Sequence, residues 1–505
     1  MFRLLLLGAA AACRPAPEAL PQASAPGAVL LASQSPFGDV TIEGAVRSDA
    51  LRVDVDTATD QREGFAWRVL DADGEPLWER STNGPVLVRE FLGYYSVQAG
   101  VNLLESLPKL GNFAVPIPLL EGGVSVDFRR RDEDGAWVDA GRFDLATLDG
   151  LDQGLSEAVV GHETLFGPAP APGEREFLDV VVVGDGYAVG DQAKWLADAQ
   201  SVTDRLVESE PFATYAAGIR VHRVDAVSAE SGASYDCDTC TYVENAFGSL
   251  FPLEAVNRLT GSTYDARAIV QTEQHEVARA VSVVPWDVVI VVVNTERFGG
   301  MAVHWATVTT ADRNDLWEDT AVHEFGHALG LLGDEYVFDA CIRSDALGLP
   351  PNISEDPTDP PWQAWVETST PLPTAPLGSN RDVVGAFRGA YNCDDLYRPM
   401  IDCKMRESAL GPFCPVCTEA LIRRLARFTD PIDVTLDGRD AVATSDWPGV
   451  TVSWLVDGRV AATTGVGEVF HLPARGRVEA HGLVETDAVR WDPEGDLVDL
   501  HVVRP

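Results

Sequence analysis

The chain has 505 residues, room for two to four domains, and 46% of them are hydrophobic, ample for packed cores. Lys+Arg 38 against Asp+Glu 78 leaves a net charge of −40. Such a surface repels nucleic acid and anionic lipid, so neither is an expected partner.

In chain order, Met1-Phe2-Arg3 reads as a short basic segment, Leu4–Ala12 as an apolar stretch too short to span a bilayer, and small residues lead into Cys13. Residues 1–13 are therefore expected to be a lipoprotein-type signal peptide, with a lipid on Cys13 as the membrane attachment. That predicts export, with anchoring at the bacterial outer membrane or cell surface, or else secretion. Residues 14–36, rich in Pro, Ala and Ser, read as a tether.

From 37 to 165 short alternating runs such as Val40–Glu43, Ala66–Leu70 and Val124–Phe128 are split by turn pairs like Asp73-Gly74, predicting an N-terminal β-sandwich domain. At Leu178–Tyr187 an apolar strand runs into Gly184-Asp185-Gly186. The third glycine of a dinucleotide fingerprint is misplaced, and Asp185 would face any phosphate, so a strand-to-helix turn is expected instead. An amphipathic helix follows, with Trp195, Leu196, Ala199, Val202 and Leu206 at helical spacing. A strand near Ile219, helices near 252–280, a buried strand at Trp286–Asn294 and a half-exposed edge strand at Ala302–Thr310 come next. This order predicts a central α/β domain over 172–430. Residues 340–392 read as a long Pro-rich loop, and 431–505 as a small C-terminal β-sandwich domain.

The chemistry concentrates at His323-Glu324-Phe325-Gly326-His327. On a helix, a spacing of four stacks both imidazoles on one face, where they can grip one zinc ion with Glu324 beside them as general base. Zinc binds well to two imidazoles and one carboxylate, with a fourth position left to water. Asp334 is the expected third ligand and Glu335 its competitor. A helix continued from His327 would carry Asp334 about 10 Å along its axis, so the backbone must break. Gly330 and Gly333 are expected to permit that break.

This stretch resembles the core motif of the bacterial IgA-specific metallopeptidase family, related to the metzincins. So do Val183-Gly184-Asp185-Gly186-Tyr187, Ser228–Ala233, Gly299-Gly300, Cys403–Arg406 and Phe413–Cys417, in the same order. The resemblance covers about 172–430. In metzincins the residue six after the second histidine returns to the metal; here that is Gly333, and Asp334 comes one later. The resemblance implies a metzincin-like zinc peptidase domain with His323, His327 and Asp334 as ligands of one catalytic Zn2+, Glu324 as base, and Met405 beneath the metal. It implies a polypeptide substrate without naming one.

Seven cysteines follow Cys13, and export predicts disulfides among them with at least one left over. Cys414-Pro415-Val416-Cys417 at a helix start can also serve redox exchange, or pair with Cys237 and Cys240 in a structural zinc site; disulfides are the preferred expectation. Tyr336 and Tyr391 can stabilise an oxyanion, with simple packing the plainer role. The leading expectation is an exported zinc endopeptidase with substrate along the edge strand at 302–309; the rival is a catalytically silent binding or adhesion lipoprotein on the same fold.

Overall fold

The computed structural model describes residues 24–34, 39–54, 64–82, 112–132, 135–171, 176–235, 242–251, 254–256, 263–265, 269–303, 306–311, 316–337, 341, 349–407, 411–493 and 495–503. The expected signal peptide with Cys13, as well as Cys237 and Cys240, lie outside the described residues.

The N-terminal strands are β1 (Ser24–Gln34), β2 (Val40–Asp54), β3 (Phe65–Leu70), β4 (Pro76–Thr82), β5 (Asn112–Pro118), β6 (Ser125–Arg131) and β7 (Trp137–Asp144). They form antiparallel sheets of order β2-β1-β5 and β4-β3-β6-β7 around one core containing Leu30, Phe65, Trp67, Trp78, Val115 and Phe128. The Trp67 indole N–H crosses between the sheets to the Pro116 carbonyl at 3.0 Å. The tether expected over 14–36 does not hold for Ser24–Gln34, which is β1. Alternation fails to reveal this strand because both its faces are covered. Leu30 faces the N-terminal core, while Val29 and Leu31 join the core of the central domain, so the run Ala28–Ala32 is uninterruptedly apolar.

The central domain is built on β8 (Val159–Phe166), β9 (Leu178–Asp185) and β10 (Ile219–Ala226), then short strands β11 (Ser234–Tyr235), β12 (Ser249–Phe251), β13 (Glu254–Val256), β14 (Thr263–Asp265) and β15 (Val270–Gln271), and finally β16 (Val288–Val293), β17 (Gly300–Val303) and β18 (Ala306–Thr310). Its main sheet has the order β17-β18-β16-β9-β10-β8. Strands β18, β16, β9 and β10 are parallel neighbours; β17 and β8 run antiparallel at the two edges. The parallel strands are valine-rich because alternate residues serve opposite layers. Val180 and Val182 pack under helices α1 (Gln192–Glu208) and α3 (Trp317–Gly330), whereas Val181 and Val183 pack on α2 (Gln274–Val281).

Three expectations change here. β8, expected in the N-terminal domain ending at 165, pairs with β10 in the central sheet. The helices expected near 252–280 reduce, among the described residues, to Gln274–Val281. The single edge strand expected over 302–310 is a hairpin, and the edge itself is Gly300–Val303; Thr307, Thr309 and Thr310 are buried one strand inward, so their alternation with apolar residues does not mark exposure.

Among the described residues between α3 and α4 (Pro415–Arg427), the regular structure is the hairpin β19 (Phe387–Ala390) and β20 (Cys393–Arg398) with two short 3-10 turns at Gln363–Trp365 and Gly378–Asn380. Strands β21 (Asp433–Asp437), β22 (Asp440–Thr444), β23 (Val450–Val456), β24 (Arg459–Gly465), β25 (Val469–His471), β26 (Val478–Val484) and β27 (Val498–Val503) form sheets β21-β22-β25 and β24-β23-β26-β27. Their core, with Trp447 and Trp454, is continuous with that of the central domain through Leu425 and Ile432. No described helix is long and apolar enough to cross a membrane.

Candidate metal centre

Helix α3 begins with Glu318 and Asp319, acids in the first turn that suit the positive end of the helix dipole. Asp319 anchors that turn: it accepts from Lys404 Nζ at 2.6 Å and from Arg205 Nη2 at 2.6 and 2.8 Å. Burial works against its charge, but these cations outweigh it and hold the carboxyl below its ordinary range. Most other α3 residues are buried, including the polar Thr320, His323 and Glu324, so this helix is packed on nearly every side.

The helix stops at Leu331, whose φ of 52° is left-handed. Its N–H returns to the His327 carbonyl at 3.0 Å, and the Leu332 N–H to the Gly326 carbonyl at 3.4 Å. The break is thus made by a leucine, at a typical cost of about 1–2 kcal/mol, and neither Gly330 nor Gly333 has positive φ. Those two glycines serve close approach instead. A Cβ at Gly330 would lie 2.8 Å from Leu421 Cδ2, and one at Gly333 would lie 2.8 Å from Ile353 Cγ1 and Pro350 Cγ.

After the break the chain doubles back along the helix. Asn352, from the Pro-rich loop, accepts from the Gly333 N–H and donates to the Gly333 carbonyl, both at 2.8 Å. The Tyr391 N–H donates to the Asp334 carbonyl at 2.7 Å and the Asn392 N–H to the Tyr336 carbonyl at 2.9 Å. The Glu335 N–H donates to the Met405 carbonyl at 2.8 Å. A disulfide, Cys341–Cys393, closes this region.

The result is a triangle. His323 Nε2, His327 Nε2 and Asp334 Oδ1 are mutually 3.2 Å apart. The His323 Nδ1–H donates to the Lys404 carbonyl at 2.7 Å and the His327 Nδ1–H to the Leu332 carbonyl at 2.6 Å. Both rings therefore turn Nε2 inward, the tautomer a metal ligand needs. A tetrahedral ion with ligands at about 2.0 Å has edges near 3.3 Å, so this donor set and spacing fit zinc. Burial lowers the His327 pKa, yet Asp334 carries it up to about 9, while the two imidazoles overcome burial and hold Asp334 well below its ordinary range. Asp334 keeps 21% of its side chain exposed, so solvent reaches the triangle at this carboxylate.

Glu324 lies beside the triangle, buried, its carboxyl raised by burial against the opposing pull of His323 and His327. Its carboxylate rests on the edge strand, where a Cβ at Gly300 would lie 2.5 Å from Glu324 Oε1. Met405 is fully buried beneath α3, its Sδ 2.9 Å from where a Cβ at Gly326 would stand.

The structure thus brings together His323, Glu324, His327 and Asp334. Glu335, the competing third ligand, points away to Asn352 Nδ2 at 3.0 Å and Cys417 Sγ at 3.2 Å. Asp185 accepts from the N–H groups of Gly186, Phe247 and Ser249 and tethers their loop, consistent with a turn and not a phosphate site. Sequence reasoning missed Asn352 and Gly300 as positioning residues. A glycine pair ahead of the active helix was a signal for the second; a buried asparagine in a Pro-rich loop gives none.

Residues 171–379 match the family model described as IgA Peptidase M64. The span covers His323, Glu324, His327, Asp334 and Asn352 and ends before Cys403–Cys417. No curated protein matches the chain.

Proposed function

We propose that this chain, whose residues 171–379 belong to the IgA peptidase M64 family, is an exported, zinc-dependent endopeptidase built on a metzincin-like domain with flanking β-sandwiches. The observation that carries the reading is the 3.2 Å triangle of His323, His327 and Asp334, with both imidazoles turned inward by carbonyls and Glu324 beside it. These three residues would hold the zinc ion, which when bound acts as a Lewis acid and brings the pKa of a water near neutrality.

The remaining steps belong to the chain. An extended polypeptide adds along the outer edge of β17, which ends the sheet next to Glu324. Glu324 takes the proton of the attacking water and delivers it to the leaving amine, and the burial that raises its pKa favours holding that proton between the two events. The Lys404 and Leu332 carbonyls keep both imidazoles oriented, and Met405 supports the helix turn between them. Export rests on the leader read over 1–13, with lipid on Cys13, and the Cys341–Cys393 disulfide fits an oxidising compartment.

The test is cleavage of a peptide library by the purified chain, with and without a chelator, beside Glu324→Ala. Cleavage abolished by the chelator and lost in Glu324→Ala is expected; a Glu324→Ala protein as fast as wild type would falsify the reading.

A further inference from the structure

Behind the triangle lies a second convergence of metal-binding side chains. Cys414 precedes the first turn of α4, Cys417 lies within it, Cys403 precedes Lys404 and Met405, and Glu335 follows Asp334. All four are buried, with Glu335, Cys403 and Cys417 at 0% exposure, and their ligand atoms lie within 4.8 Å of one another. Cys403 Sγ is 3.7 Å from Cys417 Sγ, the Cys414 N–H donates to Cys403 Sγ at 3.3 Å, and Cys417 Sγ is 3.2 Å from Glu335 Oε1.

One observation excludes a disulfide and has the spacing of a zinc site, and a second points to the ion itself. A disulfide needs sulfurs about 2.05 Å apart, whereas a zinc tetrahedron with Zn–S near 2.3 Å has an edge of about 3.8 Å, close to the spacing seen. Further, Glu335 Oε2 is buried without a hydrogen-bond partner among the described residues. A buried carboxylate oxygen left bare among thiols is unfavourable, and a cation is what such an atom would bind.

We propose that Cys403, Cys414, Cys417 and Glu335 hold a second zinc ion, structural in role. Four protein ligands close its coordination and leave no position for substrate. Binding releases to solvent the protons held by the three thiols and by the Glu335 carboxyl, and breaks no other bond. Three thiolates and a carboxylate around a divalent ion leave a net charge of −2, and the Arg398 guanidinium interacts with both Glu335 and Cys403 to offset it in part. The ion would fasten together the segments behind the first site. Glu335 adjoins Asp334, and Cys403 adjoins Lys404, whose carbonyl orients His323.

The experiment is metal analysis of the full chain grown with zinc, together with the spectrum of its cobalt-substituted form. Two ions per chain are expected, along with an intense thiolate-to-cobalt charge-transfer band that nitrogen and oxygen ligands do not give. The His323→Ala, His327→Ala double variant should keep one ion and the whole band; Cys417→Ser should lose the band. Should Cys417→Ser fail to fold, the wild-type spectrum still decides. A wild-type chain without the band, or peptide mapping that shows a disulfide among Cys403, Cys414 and Cys417, overturns the proposal. Either of those results beside chelator-sensitive cleavage leaves the endopeptidase reading standing. A thiolate-bound ion in a chain that never cleaves does the reverse.

Discussion

Replacing Gly300 with alanine separates catalysis from folding. The new Cβ would stand 2.5 Å from Glu324 Oε1 and 3.0 Å from Thr320 Cγ2. Relaxed contacts of this kind lie near 3.5 Å, so the carboxylate must withdraw by about 1 Å. It can do so because it ends a flexible side chain, and alanine in a strand is favoured over glycine by roughly 0.5–1 kcal/mol, so the fold should hold. A catalytic group misplaced by about 1 Å loses roughly 100-fold in rate. Quenched fluorescent peptides would measure kcat/KM, with zinc content and thermal midpoint taken on the same sample. The expected result is a roughly 100-fold fall in kcat/KM with zinc and stability unchanged. A wild-type rate would refute the placement of Glu324 against β17, and a parallel loss of zinc would assign the effect to the ligands.

Asn352→Ala leaves the buried Gly333 N–H and C=O without partners, at about 1–3 kcal/mol each. Denaturant unfolding should show a loss of roughly 2–6 kcal/mol, and metal should be released more readily; an unchanged midpoint would mean the clamp does not hold the returning chain. Asp287, half-buried at the base of the sheet, is pushed up to about 7 by desolvation, with Asp179 adding to it, beyond what Arg80 offsets. Its folded pKa lies above the unfolded value, so the folded state holds the extra proton and stability falls as pH rises from about 4 through 7. Asp287→Asn should raise the thermal midpoint at pH 8 more than at pH 5, and an equal effect at both would count against this burial.

The histidine pair and its base were legible because a helical spacing of four is a local rule, met here on a buried helix. Asp334 was legible as a carboxylate within reach, but the device that returns it was not. Leucine is a rare choice at a left-handed helix end, and the clamp from Asn352 lies 19 residues away in sequence. Strand β1 escaped notice because burial on both faces erases alternation, and β18 misled because buried threonines imitate an exposed face. The placement of Glu335 among Cys403, Cys414 and Cys417 depends on contacts 68 to 82 residues apart in sequence, beyond any local pattern.

The most direct test of the account is an anomalous-scattering map at the zinc edge from crystals of the zinc-grown chain. It should place an ion about 2.0–2.1 Å from His323 Nε2, His327 Nε2 and an Asp334 oxygen, beside the Glu324 carboxylate. A map with no peak in that triangle, or with Glu335 in place of Asp334 among the ligands, would contradict it.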